Sequence, residues 1–270
     1  MEIWKILLVT GAVLGAWPMI KYVSLRRKWT AVNFQNNKIP YTLGFLLFFY
    51  TICLTTFVYP VENQAAFFIY ISGVWAAGWM DDTLGTAFPK GIKGHIRYFV
   101  KHKEWTTGLS KIVLIVLVSA LTLYLTENTF SFFMIVHFIV FVLSPHVCNS
   151  FDTRPLRVWK WTVLHLLILL LFVPVLSSAA IVYYILLAVG IWGYLEMKKK
   201  AMLGDNGAAL AGGFIAWWSI HAASFSYQLL LAAALLAITY AAEKVSLHAF
   251  IKNVRILKYI DYWGRKEGFE

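Results

Sequence analysis

The stretch GVWAAGWMDDTLG, residues 73–85, closes an apolar run of bilayer length on two adjacent aspartates. Its apolar half belongs to a segment from Ala65 to Met80, and the same design recurs along the chain. Apolar segments cover Ile3–Leu25, Thr42–Pro60, Ala65–Met80, Gly108–Thr126, Phe130–Cys148, Trp161–Val173, Ala179–Glu196, Gly207–Phe225 and Tyr227–Ala242. A bilayer core takes roughly 20 apolar residues per helix, so nine spans are expected. Composition agrees: 60% of the 270 residues are hydrophobic and only 14% are charged, with a mean hydropathy of +0.68, far from a soluble domain. The expected fold class is all-α, a polytopic membrane helix bundle of about nine transmembrane helices. Its first span, Ile3–Leu25, is expected to be retained.

The net charge of +11 is not gathered into one patch, which argues against a nucleic-acid partner. Basic residues instead alternate between connections. Arg26, Arg27, Lys28 and Lys38 follow the first span; Lys90, Lys93, Arg97, Lys101 and Lys103 follow the third; Arg154, Arg157 and Lys160 follow the fifth; Lys198 to Lys200 follow the seventh; and the tail begins with Lys244. The opposite connections carry no Lys or Arg. The positive-inside rule then places the N-terminus outside and the C-terminus in the cytoplasm of a multi-pass cell-membrane protein. Residues 1–242 read as one transmembrane domain and 243–270 as a cytoplasmic amphipathic tail. The tail and KGIKGHIRYFVKHKEW, residues 90–105, set apolar residues at helical spacing among basic ones, as interfacial helices on anionic headgroups do. Cys53 and Cys148 have no CxxC or partner spacing and read as small apolar fillers.

On this topology Asp81, Asp82, Asp152 and Asp205 all fall at span ends on the basic side. Asp81 and Asp82 stand at the partially negative end of an inward-running helix, where an acid is unfavourable by roughly 0.3–1 kcal/mol. Neither capping nor the helix dipole accounts for them. They ask for a cation: Lys90 and Lys93 nearby, or magnesium, which is usually held by one or two carboxylates together with substrate phosphates. Asp205, in AMLGDNGAALAGGF (residues 201–214), occupies an expected N-cap, where an acid is structurally favoured. The small residues after it permit close helix packing. In CNSFDTRPLRVWK, residues 148–160, Asn149 and Asp152 are spaced to share a helical face if the fifth span continues that far. Arg154, Arg157 and Lys160 offer charge for a diphosphate, or a local salt bridge in a basic loop. The seven histidines show no metal-ligand spacing and read as structural or interfacial.

Four ordered segments, NNKIPYTLG (36–44), DD (81–82), NSFD (149–152) and LGDNGA (203–208), together resemble the polyprenyl-phosphate N-acetylhexosamine-1-phosphate transferase superfamily, which includes phospho-N-acetylmuramoyl-pentapeptide transferase. The resemblance spans nearly the whole chain and is that of a short, divergent bacterial branch. It implies magnesium-dependent transfer of a sugar 1-phosphate from a UDP-sugar to polyprenyl phosphate at the cytoplasmic face, beginning a cell-envelope glycan. By resemblance Asp81 and Asp82 are catalytic, Asp205 with Asp81 holds the metal, and Asn149, Asp152, Arg154 and Lys90 meet the substrates. The implied partners are polyprenyl phosphate, a nucleotide-sugar, membrane lipids and a second copy in a homodimer. The chain departs from the family pattern in several places: Ala208 stands where a serine is usual, Arg154-Pro155 where a second acidic pair is usual, and the clustered histidines and tenth span are missing. A silent member that binds lipid phosphate as a membrane scaffold is the alternative. A transporter, with polar groups at the bilayer midplane, fits less well.

Overall fold

Apolar runs with few helix breakers become helices, because a backbone in an apolar medium must satisfy its own N–H and C=O groups. The computed structural model describes residues 3–32, 36–58, 61–85, 89, 91–127, 130–172 and 179–264. The elements are α1 (Ile3–Arg26), β1 (Thr30–Val32), β2 (Lys38–Pro40), α2 (Leu43–Phe57), α3 (Gln64–Leu84), α4 (Gly91–His102), α5 (Thr107–Thr126) and α6 (Phe132–Phe151). They continue with α7 (Arg157–Phe172), α8 (Ala179–Met197), α9 (Gly204–Ala222), α10 (Phe225–Lys244), α11 (Leu247–Asn253) and α12 (Arg255–Tyr262). Each of the nine expected apolar segments coincides with one helix. The two amphipathic segments form α4 and the pair α11–α12. Among the described residues the departure from an all-helical chain is an antiparallel ribbon pairing Thr30 with Pro40 and Val32 with Lys38.

Four helices among the described residues are long and apolar enough to cross a membrane: Leu7–Arg26, Thr107–Thr126, Phe132–Phe151 and Phe225–Lys244. Leu117, Leu171 and Leu230 are exposed on the outside of the bundle, where a water-soluble surface would be expected to carry charge. This is a membrane protein. Cys53 and Cys148 are free and buried, as expected of fillers.

α9 is the axis of the fold. Thirteen of its residues are buried, from Gly204 to Ser219, and it packs on α2, α3, α6 and α7. Small side chains make this possible, since they let helix backbones approach closely. Added at Gly78 of α3, a Cβ would stand 2.4 Å from the Asp205 carbonyl oxygen. Around this axis lie Phe67 against Trp217 and Tyr70 against Phe141, both edge-on, and the Tyr70 hydroxyl donates to the Phe141 carbonyl at 2.7 Å. The ribbon is stitched to the start of α9. Met202 N–H donates to the Pro40 carbonyl at 2.7 Å, and Leu43 N–H to the Met202 carbonyl at 3.2 Å.

Candidate functional site

The apolar stretch of α3 ends at Met80, and its last turn carries Asp81 and Asp82 beside the first turn of α9. Gly204 has φ +73, a conformation that glycine adopts without steric penalty. Its Cβ would meet the Tyr41 carbonyl at 2.6 Å and the Asp82 carboxylate at 3.0 Å. The turn aims the unpaired N–H groups of α9 at Asp82. Asp205 N–H donates to Asp82 Oδ1 at 2.9 Å and Asn206 N–H to Oδ2 at 2.9 Å, while the Asn206 side-chain amide donates to Oδ2 at 2.5 Å. Asn206 also donates to the Tyr41 carbonyl at 3.3 Å.

Two sequence expectations are corrected here. Asp205 is not the N-cap of α9; that position is Leu203, whose side chain makes no capping bond. The capping acid comes from another helix, because a close α3–α9 crossing puts Asp82 where a local Ser or Asp would ordinarily stand. Asp82 therefore does have a capping role, across helices. The unfavourable dipole at the end of α3 is offset by the favourable one at the start of α9.

Asp81 takes a different partner from the expected Lys93. Thr107 Oγ1 donates to Asp81 Oδ1 at 2.9 Å. Lys111 Nζ, buried within α5, lies 3.4 Å from Asp81 Oδ2 and 2.5 Å from Asp205 Oδ2. The backbone N–H of Lys93 is instead held by Glu243 at 3.3 Å, and Lys90 lies outside the described residues. Two carboxylates thus share one ammonium, and the third, Asp82, is compensated by the helix terminus alone.

The carboxyls respond differently. Burial opposes the charge on Asp81, but Lys111 and Thr107 hold it below the usual carboxylate range. Burial and the charge of Asp205 push Asp82 up to about 7, against its three donors. Burial raises Asp205 too, against the pull of Lys111.

Beside Asp81 and Lys111 lies a cavity of about 120 Å³, also lined by His95, Gly108, His146 and Asn149. Asn149 Oδ1 is buried without a hydrogen-bond partner. The His95 ring lies over Gly108, whose Cβ would come within 2.2 Å of it. His95 Nδ1 is 2.8 Å from Thr106 Oγ1, the same oxygen that caps α5 by accepting from Leu109 N–H at 3.2 Å.

Asn149 and Asp152 do not share a face. α6 ends at Phe151, leaving Asp152 as its C-cap outside helical geometry. Asp152 opens with Arg154, Glu196 and Lys199 onto a second cavity of about 160 Å³, where burial and the Glu196 charge push its carboxyl well up. Arg157 and Lys160, expected near a diphosphate, are committed elsewhere. Arg157 grips Asp261 of α12 through Nε at 2.7 Å and Nη2 at 2.8 Å, and Lys160 donates to the carbonyls of Ile260 and Asp261 at 2.7 and 2.9 Å.

Sequence reading missed Lys111, Thr107, His146 and Asn206. Lys111 had a signal: an ionisable residue inside an apolar span is a functional candidate by default. Among the described residues no three His, Cys, Asp or Glu side chains gather into a metal-holding cluster. Comparison with family models, with curated proteins and with solved structures gives no match, so the residues themselves carry the functional argument.

Proposed function

We propose that the chain is a magnesium-dependent phosphoglycosyltransferase of the polyprenyl-phosphate N-acetylhexosamine-1-phosphate transferase superfamily. In this reading it crosses the membrane nine times, with its N-terminus outside and its C-terminus in the cytoplasm, and works at the cytoplasmic face. The observation that carries it is the gathering of three carboxylates, Asp81, Asp82 and Asp205, around one buried ammonium, Lys111, which pairs with Asp81 and Asp205 alone. Such an excess of carboxylate favours a divalent cation and the phosphates that come with it. The donor set fits magnesium: Asp81 and Asp205 each turn an oxygen toward the place Lys111 now occupies, whereas Asp82 is committed to the start of α9. Convergence of three separated motifs at one end of the bundle supports the same reading. The segment around Tyr41 and Gly44, the Asp81-Asp82 pair and the Gly204–Asn206 turn are in direct contact.

Bound there, the cation would act as a Lewis acid on the donor diphosphate. The remaining work falls to side chains. Asp81 and Asp205 would hold the metal, with the Lys111 ammonium moved from between them to balance charge on the phosphates. Asp82 fixes the angle of α9 and thereby the place of Asp205. Asn149, which lines the cavity and whose Oδ1 has no partner, accepts from a substrate N–H or O–H. Asp152 and Arg154 border the second cavity, from which the nucleotide end of the donor is read. An oxygen of the lipid phosphate forms a bond to the donor's sugar-bearing phosphorus, the bond from that phosphorus to UMP breaks, and UMP leaves.

A silent lipid-phosphate-binding scaffold is the second reading. It is favoured by Lys111 itself, whose ammonium satisfies Asp81 and Asp205 without any metal. Purified protein in detergent, given magnesium, polyprenyl phosphate and a panel of UDP-sugars, separates the two. UMP release that needs both lipid and metal is the expected result. No release with any donor, from protein that still binds polyprenyl phosphate, would leave the scaffold.

A further inference from the structure

α4 carries two parallel rows on its outer side. Ile92, Ile96 and Val100 recur every four residues, and Lys93, Arg97 and Lys101 run beside them at the same interval. Residues four apart lie one above another on a helix, so an apolar ridge and a basic ridge are contiguous. Ile96 and Val100 are 47% and 61% exposed. The opposite face is occupied: His95 lies over Gly108, and Phe99 meets Trp105 edge-on at 5.4 Å.

Both ridges line an open groove of about 760 Å³, whose other wall is Thr239 and Glu243 of α10. α10 is one of the four helices long and apolar enough to cross a membrane, and it ends at Lys244. The groove therefore lies at the level where the span gives way to the headgroup region. Glu243 sets one negative charge against the three cations of the groove. Its two oxygens accept from the N–H groups of Ile92 at 2.7 Å and Lys93 at 3.3 Å, capping α4 across helices as Asp82 caps α9.

We propose that this groove binds one anionic phospholipid, its acyl chain along Ile92, Ile96 and Val100 and its phosphate along Lys93, Arg97 and Lys101. An apolar row alone would accept any lipid. The adjoining basic row selects an acidic headgroup, since each Lys or Arg near an anionic surface is worth about fivefold in binding. An occupied groove holds α4 against α5 and α10, and with it the His95 ring over the Asp81 cavity. The inference does not depend on the transferase reading, because binding is read directly.

The test counts phosphatidylglycerol and phosphatidylcholine retained by the detergent-purified full chain in native mass spectrometry. Wild type is expected to retain one phosphatidylglycerol in preference to phosphatidylcholine. Lys93→Ser/Arg97→Ser/Lys101→Ser is expected to weaken that preference roughly a hundredfold. A matched control, Arg27→Ser/Lys198→Ser/Lys252→Ser, removes equal charge elsewhere on the basic side and is expected to retain the lipid. Equal retention by wild type and the α4 variant, or equal loss in the control, would overturn the proposal. Photoactivatable phosphatidylglycerol on the wild-type chain gives a second measurement that no folding defect can confuse. Label is expected on the peptides holding residues 92–101 and 239–243, and label confined to other segments would also overturn it.

Discussion

Two ionic clusters stand at the ends of the helices, and they are built on opposite plans. Arg157 and Asp261 form a closed pair: one guanidinium, one carboxylate, two parallel bonds, both side chains less than a tenth exposed. Thr153 accepts a further bond from the same guanidinium at 2.6 Å, and His248 stands 3.1 Å from it. The Asp81, Asp82, Asp205 and Lys111 cluster is open. It has three carboxylates to one ammonium, and it borders a cavity with an unpaired Asn149 oxygen. The first arrangement balances its charge and joins the tail to α7. The second leaves negative charge that protonation of Asp82 or an additional cation must balance. Charge balance and exposure together separate an ion pair that holds structure from one that awaits a ligand.

The largest effect expected is on the closed pair. Arg157→Met takes the guanidinium from the buried Asp261 carboxylate, a loss of about 3–5 kcal/mol when one partner of such a pair is removed. Thermal melting of the detergent-solubilised protein should show it, with α12 becoming accessible to protease. A melting midpoint equal to that of wild type would show that the pair is already solvated. At the open cluster, Asp205→Asn should act the other way round. Lys111 keeps Asp81 as a partner, so the protein should fold, while metal-dependent UMP release should fall by about 10²–10³-fold, the usual consequence of removing a group that stabilises transition-state charge. Unchanged release would take Asp205 out of the site.

Geometry supplies the next test. At Gly78, an added Cβ meets α9 backbone, the Asp205 carbonyl at 2.4 Å and the Asn206 Cα at 2.6 Å, neither of which can rotate away. Gly78→Ala should therefore separate α3 from α9, with an overpacking penalty of about 1–3 kcal/mol, and pull Asp205 away from Asp81. Activity should drop more than stability does. If melting and UMP release both match wild type, the α3–α9 approach is looser than these contacts require.

These contrasts also explain what the sequence made legible. Each apolar run announced its helix, because an unbroken apolar stretch of that length has few other stable forms. The two rows of α4 were readable from their spacing. So was the gathering of Asp81, Asp82 and Asp205 at one end of the bundle, since span direction alone fixes which ends meet. Capping was not readable. Whether Asp82 or Asp205 caps α9 depends on the crossing of two helices 120 residues apart in sequence, and local pattern reports only the residue's own turn. The split between Asn149 and Asp152 turns on where α6 stops, and helix ends are the least determined feature of any pattern. Arg157 read as a phosphate ligand because its partner, Asp261, lies in a tail whose docking no periodicity encodes. Lys111 was visible all along as the one lysine in the apolar run Gly108–Thr126, and the acidic motifs drew attention away from it.

The smallest expected effect separates the two plans most sharply. A closed pair can be replaced as a unit, because two apolar side chains of similar volume avoid the desolvation that the two charges undergo. Arg157→Met/Asp261→Leu should therefore melt close to wild type, within about 1 kcal/mol, although Arg157→Met alone does not. The Thr153 hydroxyl and the His248 ring lose a partner but remain within reach of water, so neither becomes a buried orphan. UMP release should be unchanged, since no charge has moved at the open cluster. The matching exchange there, Lys111→Met/Asp205→Leu, also removes one charge of each sign, but it takes the ammonium from Asp81 as well and leaves Thr107 as its donor, so the protein should melt below wild type and release should disappear. Retained activity after that exchange would mean that Lys111 and Asp205 form a second closed pair, and that the unbalanced charge of Asp81 and Asp82 alone is what a cation meets.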